Sequence, residues 1–274
     1  MISVEGELPT LAAPPLIETV LGLQFDPVAG LTDAHLGWYW RERLGTAWAK
    51  AIEAPQILDQ FERFGINLWV GAPLQFKVMD LPSIRLQFVN SQDDRVIQLQ
   101  KTRFIYNWRK REPIYPRFKI LFPEFNSKLK GFREFLNSSG LGDISPNQWE
   151  VTYINHIPKG QLWSAPEDWQ KVFPGLVSTP RASADFIAPE SVSGEWHFEI
   201  RPQKGRLHVS FQHARLSGGG EEVLVVQLTA RGPIDPKLAD TDFSRGIELG
   251  HHALVRTFFD VCSKSALAYW GVSA

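Results

Sequence analysis

Arg206-Leu-His-Val-Ser-Phe-Gln-His213 alternates apolar and polar residues without a break. Leu207, Val209 and Phe211 fall on one side and His208, Ser210 and Gln212 on the other, the period of a half-buried strand. Ser217-Gly-Gly-Gly220 follows, and glycine accepts the positive φ that a chain reversal needs. Glu222-Val-Leu-Val-Val-Gln-Leu-Thr-Ala230 is β-branched and apolar on both sides, which predicts a strand covered on both faces or by the helix that comes next. Pro233 and Pro236 close it, and Asp240-Thr-Asp242 offers N-caps. The spacing of Ile247, Leu254, Val255, Phe258, Cys262, Ala266 and Tyr269 then predicts a one-faced helix from about Phe243 to Trp270. Two paired strands beneath a long helix make this an α+β chain.

Upstream the same unit recurs. Leu16–Phe25 reads as a strand, entered from Pro14-Pro15 and left at Asp26-Pro27, after a polar, weakly ordered lead over residues 1–13. Thr32-Asp33 caps a predicted helix over 33–51, while residues 54–64 carry no period that fixes their structure. Gln75–Met79, Ser83–Val89 and Arg95–Trp108 read as strands, and Asn90-Ser-Gln-Asp-Asp94 is turn chemistry. A helix over Phe118–Leu136 follows the breaks at Pro113 and Pro116. Small polar residues through Asn137–Pro146 mark the domain boundary, giving an N-terminal half over 14–138, a linker over 139–146 and a C-terminal half over 147–274. The second half reads as a strand over Trp149–Asn155, a capped turn over Ser164–Phe173, a possible strand over 181–187, strands over Glu195–Arg201, Arg206–His213 and Glu222–Ala230, and the final helix. The expectation is two similar halves by internal duplication, each strand, helix, three antiparallel strands, helix, joined edge to edge in one sheet. Echoes support it: Ile84–Asn90 matches Gly205–Phe211 in pattern, and Val96–Thr102 matches Val223–Thr229.

The 274 residues are 43% hydrophobic and carry a formal charge of −1, so no global field draws the chain to nucleic acid or to a membrane surface. The single cysteine, Cys262, falls in the helical pattern and reads as core, and one cysteine makes neither an internal disulfide nor a cysteine zinc site. The N-terminus lacks a basic and an apolar signal region, and no apolar run approaches the ~20 residues of a membrane span, so the expected location is cytoplasmic. Ten tryptophans favour a thick core and also interfaces.

Three stretches are familiar: Pro14-Pro-Leu-Ile-Glu18 leading to Phe25, the run from Asp94 to Arg109, and Tyr153-Ile-Asn-His156. They resemble a family of about this chain length that is sporadically distributed among bacteria and archaea and has no established activity. The resemblance implies mobile or accessory genes linked to defence, and brings no catalytic residues with it.

Between Lys101 and Lys119 seven basic residues stand against one acid, Glu112, with aromatics between them. Charge beside exposed rings suits single-stranded nucleic acid, so Arg103, Tyr106, Asn107, Trp108, Arg109, Arg111 and Tyr115 are the candidate binding residues. The competing reading is a strand whose rings face the core and whose arginines are solvated or paired with acids. His197, His208 and Glu199 can share a sheet face, where a solvated polar face is the simpler expectation than a metal site; His251 and His252 diverge by about 100° on a helix. Glu18 and Glu150 are carboxylates at matching places in the first strand of each half, which argues for a structural role. No nucleophile elbow and no phosphate-binding glycine loop is present. The expected function is non-enzymatic: a protein-binding, adaptor or chaperone-like protein whose partner is another protein, with no cofactor and no metal. A small-molecule site between helix and sheet, and nucleic-acid binding through 101–119, are the alternatives.

Overall fold

The computed structural model describes residues 7–65, 84–178, 189–216 and 218–273. In chain order it comprises β1 (Thr10–Leu11), β2 (Leu16–Phe25), α1 (Asp33–Tyr39), β3 (Lys50–Pro55), β4 (Ile84–Val89), β5 (Arg95–Gln100), β6 (Arg103–Arg109) and α2 (Phe118–Ser138). There follow β7 (Pro146–Pro158), α3 (Trp169–Val172), β8 (Ser193–Ile200), β9 (Gly205–Arg215), β10 (Glu222–Pro233), α4 (Ala239–Val261), α5 (Lys264–Tyr269) and β11 (Val272–Ser273). Nine strands form one antiparallel sheet in the order β3-β4-β5-β6-β2-β7-β10-β9-β8, and β1 pairs with β11. The chain is thus α+β, with a large antiparallel sheet. The seam between its earlier and later strands is the β2–β7 pair, with Leu21 opposite Val151 and Leu23 opposite Trp149.

All the long helices lie on one face. Cross-strand partners point to the same side of a sheet, so Phe104, Leu23 and Trp149 form one row. Phe104 meets Phe125 and Phe132 of α2, and Trp149 meets Gly246 and Gly250 of α4. The helices touch through Phe125 and Phe243, ring centres 5.7 Å apart. Trp149 explains the glycines of α4. A Cβ at Gly246 would lie 2.3 Å from its Cδ1, and one at Gly250 2.7 Å from its Cζ3, so a bare helix surface is what lets α4 lie on the indole.

Several sequence expectations change. The expected long strand Arg95–Trp108 is a hairpin, β5 and β6, reversing at Lys101-Thr102. The helix expected over 33–51 ends much earlier. A π-helical turn (Trp40–Leu44) and a 3-10 turn (Gly45–Ala47) follow α1, and the chain turns into β3 where Gly45 takes φ +63. The final helix breaks after Val261, because Ser263 adopts an extended conformation and its hydroxyl caps α5 by accepting from Ala266 N. The lead is ordered from β1, with Leu11 buried and Arg117 donating to its carbonyl. Expected strands over Gln75–Met79 and 181–187 lie outside the described residues. The sequence echoes pair β4 with β9 and β5 with β10, whereas equal distance from the seam pairs β5 with β9 and β6 with β10.

Candidate functional site

The other face of the sheet is polar, and its groups stand in cross-strand rows. Arg103, Gln24 and Gln148 are neighbours in one row. In the next, Ile105, Gly22, Glu150, Arg231, Arg206 and Glu199 follow in turn. Thr152, Thr229, His208 and His197 belong to a third. Alternation along each strand makes this unavoidable: once Trp149, Val151 and Tyr153 face the helices, Gln148, Glu150 and Thr152 face away. Several polar side chains of this face are nevertheless buried, including Gln24, Gln100, Arg103, Asn107 and Gln148. Burial of that kind demands hydrogen-bond partners.

A strap supplies many of them. Residues 56–65, which leave the edge strand β3 and form neither helix nor strand, cross the polar face over β5, β6, β2, β7, β10 and β9 in that order. The sheet holds it by its main chain. Gln100 Oε1 accepts from Ile57 N at 3.0 Å and Gln100 Nε2 donates to Ile57 O at 2.8 Å. Arg103 donates to Leu58 O at 3.2 Å, and Gln60 N donates to Gln24 Oε1 at 3.1 Å. Gln148 grips two peptide groups, donating to Gln60 O at 2.5 Å and accepting from Glu62 N at 2.9 Å. Side-chain amides thus do for this segment what a neighbouring strand's backbone does in a ladder.

Two acids of the strap reach into the sheet. Asp59 Oδ1 accepts from Thr102 Oγ1 at 2.7 Å. Glu62, its side chain only 6% exposed, accepts from Arg206 on one oxygen, and from His208 Nε2 at 2.7 Å and Arg231 Nε at 3.2 Å on the other. Burial alone would raise the Glu62 pKa; the His208 hydrogen bond and the charges of His208, Arg231 and Arg206 outweigh it and hold the carboxyl below its ordinary range. The other ring nitrogen of His208, Nδ1, lies 2.8 Å from His197 Nδ1. His197 is pushed down from the usual imidazole value by burial, then by the charge of His208. Arg231 also approaches Glu150 at 3.7 Å, and Glu150 approaches Arg103 at 3.5 Å.

Of the seven candidate residues of the basic stretch, the five on β6 divide between the two faces, and Arg111 and Tyr115 follow the strand. Tyr106 and Trp108 point to the helices: the Tyr106 hydroxyl donates to Glu124 of α2 at 2.7 Å, and Trp108 packs on Tyr115, centres 5.1 Å apart. Arg103, Asn107 and Arg109 lie on the polar face. Asn107 donates to Glu18 at 2.5 Å and accepts from Gln98 at 2.8 Å, and Arg109 lies 3.5 Å from Glu18. Arg111 pairs with Asp93 at the surface, at 2.7 Å. The stretch therefore places three of its polar residues on one face, with only Asn107 and Arg109 sharing a partner, and sends its rings elsewhere. Of the histidines, His251 stacks on Phe118 and lies 2.7 Å from the Tyr153 hydroxyl. Glu199 accepts from Gln203 N rather than turning to His197 and His208. Among the described residues no group of three or more His, Cys, Asp or Glu is placed to hold a metal ion, and no helix is long and apolar enough to cross a membrane. The apolar space between α4 and the sheet, lined by Leu11, Tyr115, Tyr153, Val255 and Phe258, is about 80 Å³, well below the ~300 Å³ of small ligand pockets.

Glu62 and Asp59 were invisible to periodicity because their stretch has none. The usable signal lay in the strands: a glutamine at a polar-face position in each of β2, β5 and β7, namely Gln24, Gln100 and Gln148. The chain matches no protein-family model, no curated protein and no solved structure.

Proposed function

We propose that the protein is a non-enzymatic protein-binding adaptor, a chaperone-like clamp that takes an extended polypeptide across the polar face of its sheet. One observation carries this reading: that face grips the strap at four residues, Ile57, Leu58, Gln60 and Glu62, through peptide N–H and C=O groups, which every polypeptide has. Recognition through the main chain gives affinity without demanding a sequence, as strand addition does at sheet edges. The charged groups do not argue for catalysis. The Glu62 carboxylate is saturated with donors and held ionised, which makes it an anchor and a poor general base.

The same reading includes internal duplication. From the seam outward one half reads β2, β6, β5, β4 and the other β7, β10, β9, β8, with β3 an extra edge strand beyond β4, and a long helix follows both β6 and β10. A pseudo-twofold axis at the β2–β7 pair relates the two series, and a doubled sheet provides a face wide enough for a chain to cross.

The test is site-specific photo-crosslinking in the native host. A photoreactive residue at Gln212, exposed beside the polar face, is compared with one at Lys130 on the outer surface of α2. Capture of a polypeptide at position 212 and not at 130, surviving nuclease, supports the reading. Equal capture at both positions, or recovery of nucleic acid lost at higher salt, refutes it.

A further inference from the structure

The two acids of the strap meet donors that suit a carboxylate. Asp59 accepts from Thr102 close to Arg103. Glu62 accepts from Arg206, His208 and Arg231, and Glu150 lies within 3.7 Å of Arg231 and 3.5 Å of Arg103. The two acids stand three residues apart. Their pockets sit on opposite sides of the seam, at the β5–β6 turn and on β9 and β10. Taking the Glu62 carboxylate from its three donors without replacing it is costly, so any chain replacing the strap must bring comparable charge to comparable places.

We propose, on the strength of the reading above, that this face selects acidic segments: an extended polypeptide carrying two carboxylates three residues apart, for which residues 56–65 are the built-in occupant. Gln24, Gln100 and Gln148 take the backbone, the Thr102–Arg103 corner takes the first acid, and Arg206, His208 and Arg231 take the second. The strap competes for the site in cis, so an incoming segment binds only by displacing it. Arg206 and Arg231 make the second pocket the stricter of the two, since a guanidinium hydrogen-bonds a carboxylate more strongly than it does a neutral amide.

The probe is a fluorescent peptide of residues 56–65, Gln-Ile-Leu-Asp-Gln-Phe-Glu-Arg-Phe-Gly, beside its twin with Asn for Asp and Gln for Glu. Fluorescence anisotropy measures both on the full chain and on its Glu62→Gln variant. The acidic peptide is expected to bind the variant at least about tenfold more tightly than it binds the native chain, and at least about tenfold more tightly than the amide twin binds, the effect of losing one charged hydrogen bond. If both peptides bind alike, acid selection is wrong while the clamp reading stands. If neither peptide binds either chain, both fall. Should Glu62→Gln fail to fold, hydrogen exchange of the native chain decides. Excess acidic peptide should speed exchange at the Ile57, Gln60 and Glu62 amides and the amide twin should not; no change with either peptide overturns the displacement.

Discussion

Replacing Gly246 with alanine sets helix propensity against packing, and the geometry says which wins. Propensity alone favours alanine in a helix interior by up to about 1 kcal/mol. Against it, the new Cβ would lie 2.3 Å from Trp149 Cδ1 and 2.4 Å from Nε1, where carbon atoms normally sit ~3.5–4.0 Å apart. The indole cannot step aside. It is 2% exposed, and Gly232, Gly205 and Gly250 press on its remaining edges so closely that a Cβ on any of them would fall within 3 Å of the ring. Relief requires α4 to rise from the sheet by more than an ångström, loosening Ile247, Leu254 and Phe258, all of which it buries. Overpacking of this kind costs roughly 1–3 kcal/mol, and the contact is short enough for the upper part of that range. After the propensity gain, the expected net destabilisation is about 1–2 kcal/mol, a Tm lower by roughly 2–6 °C for a chain of this size.

Gly131 of α2 provides the control, since nothing lies within 4 Å of a Cβ there. Gly131→Ala should stabilise by up to about 1 kcal/mol. Denaturant unfolding followed by far-UV circular dichroism, with thermal melts alongside, measures both variants. Opposite signs at the two glycines are expected. The same sign at both would refute the claim that Trp149 sets the approach of α4. As a further check, Gly246→Ala in a Trp149→Phe background should cost less than the sum of the two changes, because the smaller ring vacates the collision.

Acid should destabilise the chain in two stages. His251 is pushed down to about 3 by burial and then by the charge of His252, so below pH ~6.5 the unfolded chain takes up a proton that the folded chain refuses. Its stabilisation is complete above that pH and is lost as pH falls toward the folded value, at up to ~1.4 kcal/mol per unit. His156, His197 and His252 are displaced the same way. Glu62, Asp143 and Glu222 are held low, and the stability they add above the ordinary carboxylate range is lost below it. Unfolding curves at stepped pH should show the first stage flattened in His251→Gln; an unchanged slope would show that His251 does not carry it. Gln100→Ala should speed hydrogen exchange at the Ile57 amide roughly tenfold or more while leaving the melting curve nearly in place, because a buried N–H loses its acceptor in a segment outside the sheet ladder; a large loss of Tm would mean the strap is integral to the fold. Arg133 links Asp143 and Asp240 across the surface, and Arg133→Ala should cost less than about 1 kcal/mol, an effect that shrinks with added salt.

What could be read in the sequence was what local period encodes. The alternation of Arg206–His213, the β-branched run after it and the helical stripes of α2 and α4 all correspond to elements of the structure. Two misreadings share one cause, the absence of strong turn chemistry, whereas the helix expected over 33–51 ran past a signal that was present, Gly45 with its φ of +63. Lys101-Thr102 reverses the chain without glycine, asparagine or proline, so β5 and β6 merged into one strand. That error shifts the count of strands by one, which is why the sequence echoes pair strands lying at unequal distances from the seam. The helix break at Cys262-Ser263 was hidden for a similar reason, because α4 and α5 keep their apolar residues in one continuous spacing across it.

The site was less legible than the fold because its chemistry belongs to partners far apart in sequence. Glu62 and the three donors around it, Arg206, His208 and Arg231, are separated by 144 to 169 residues, and no spacing rule reaches so far. The Lys101–Lys119 stretch misdirects for a related reason. Its positive charge looks like a local patch, yet Arg103 spends its charge on Glu150 and the strap carbonyl, and Arg109 lies against Glu18. Duplication would make the two halves alike in backbone, but the strap makes them unlike in chemistry. It leaves the far edge of one half, crosses the seam, and places its most buried acid among residues of the other. The strap gives the polar face one direction in which a chain can be read, from the Asp59 corner to the Glu62 pocket. The acidic peptide with its residue order reversed keeps composition, charge and the spacing of its acids, but presents them in the opposite order of main-chain polarity. It should therefore bind the Glu62→Gln chain much more weakly than the native order does; equal binding would show that charge alone, and not the glutamine ladder beneath the strap, holds the segment.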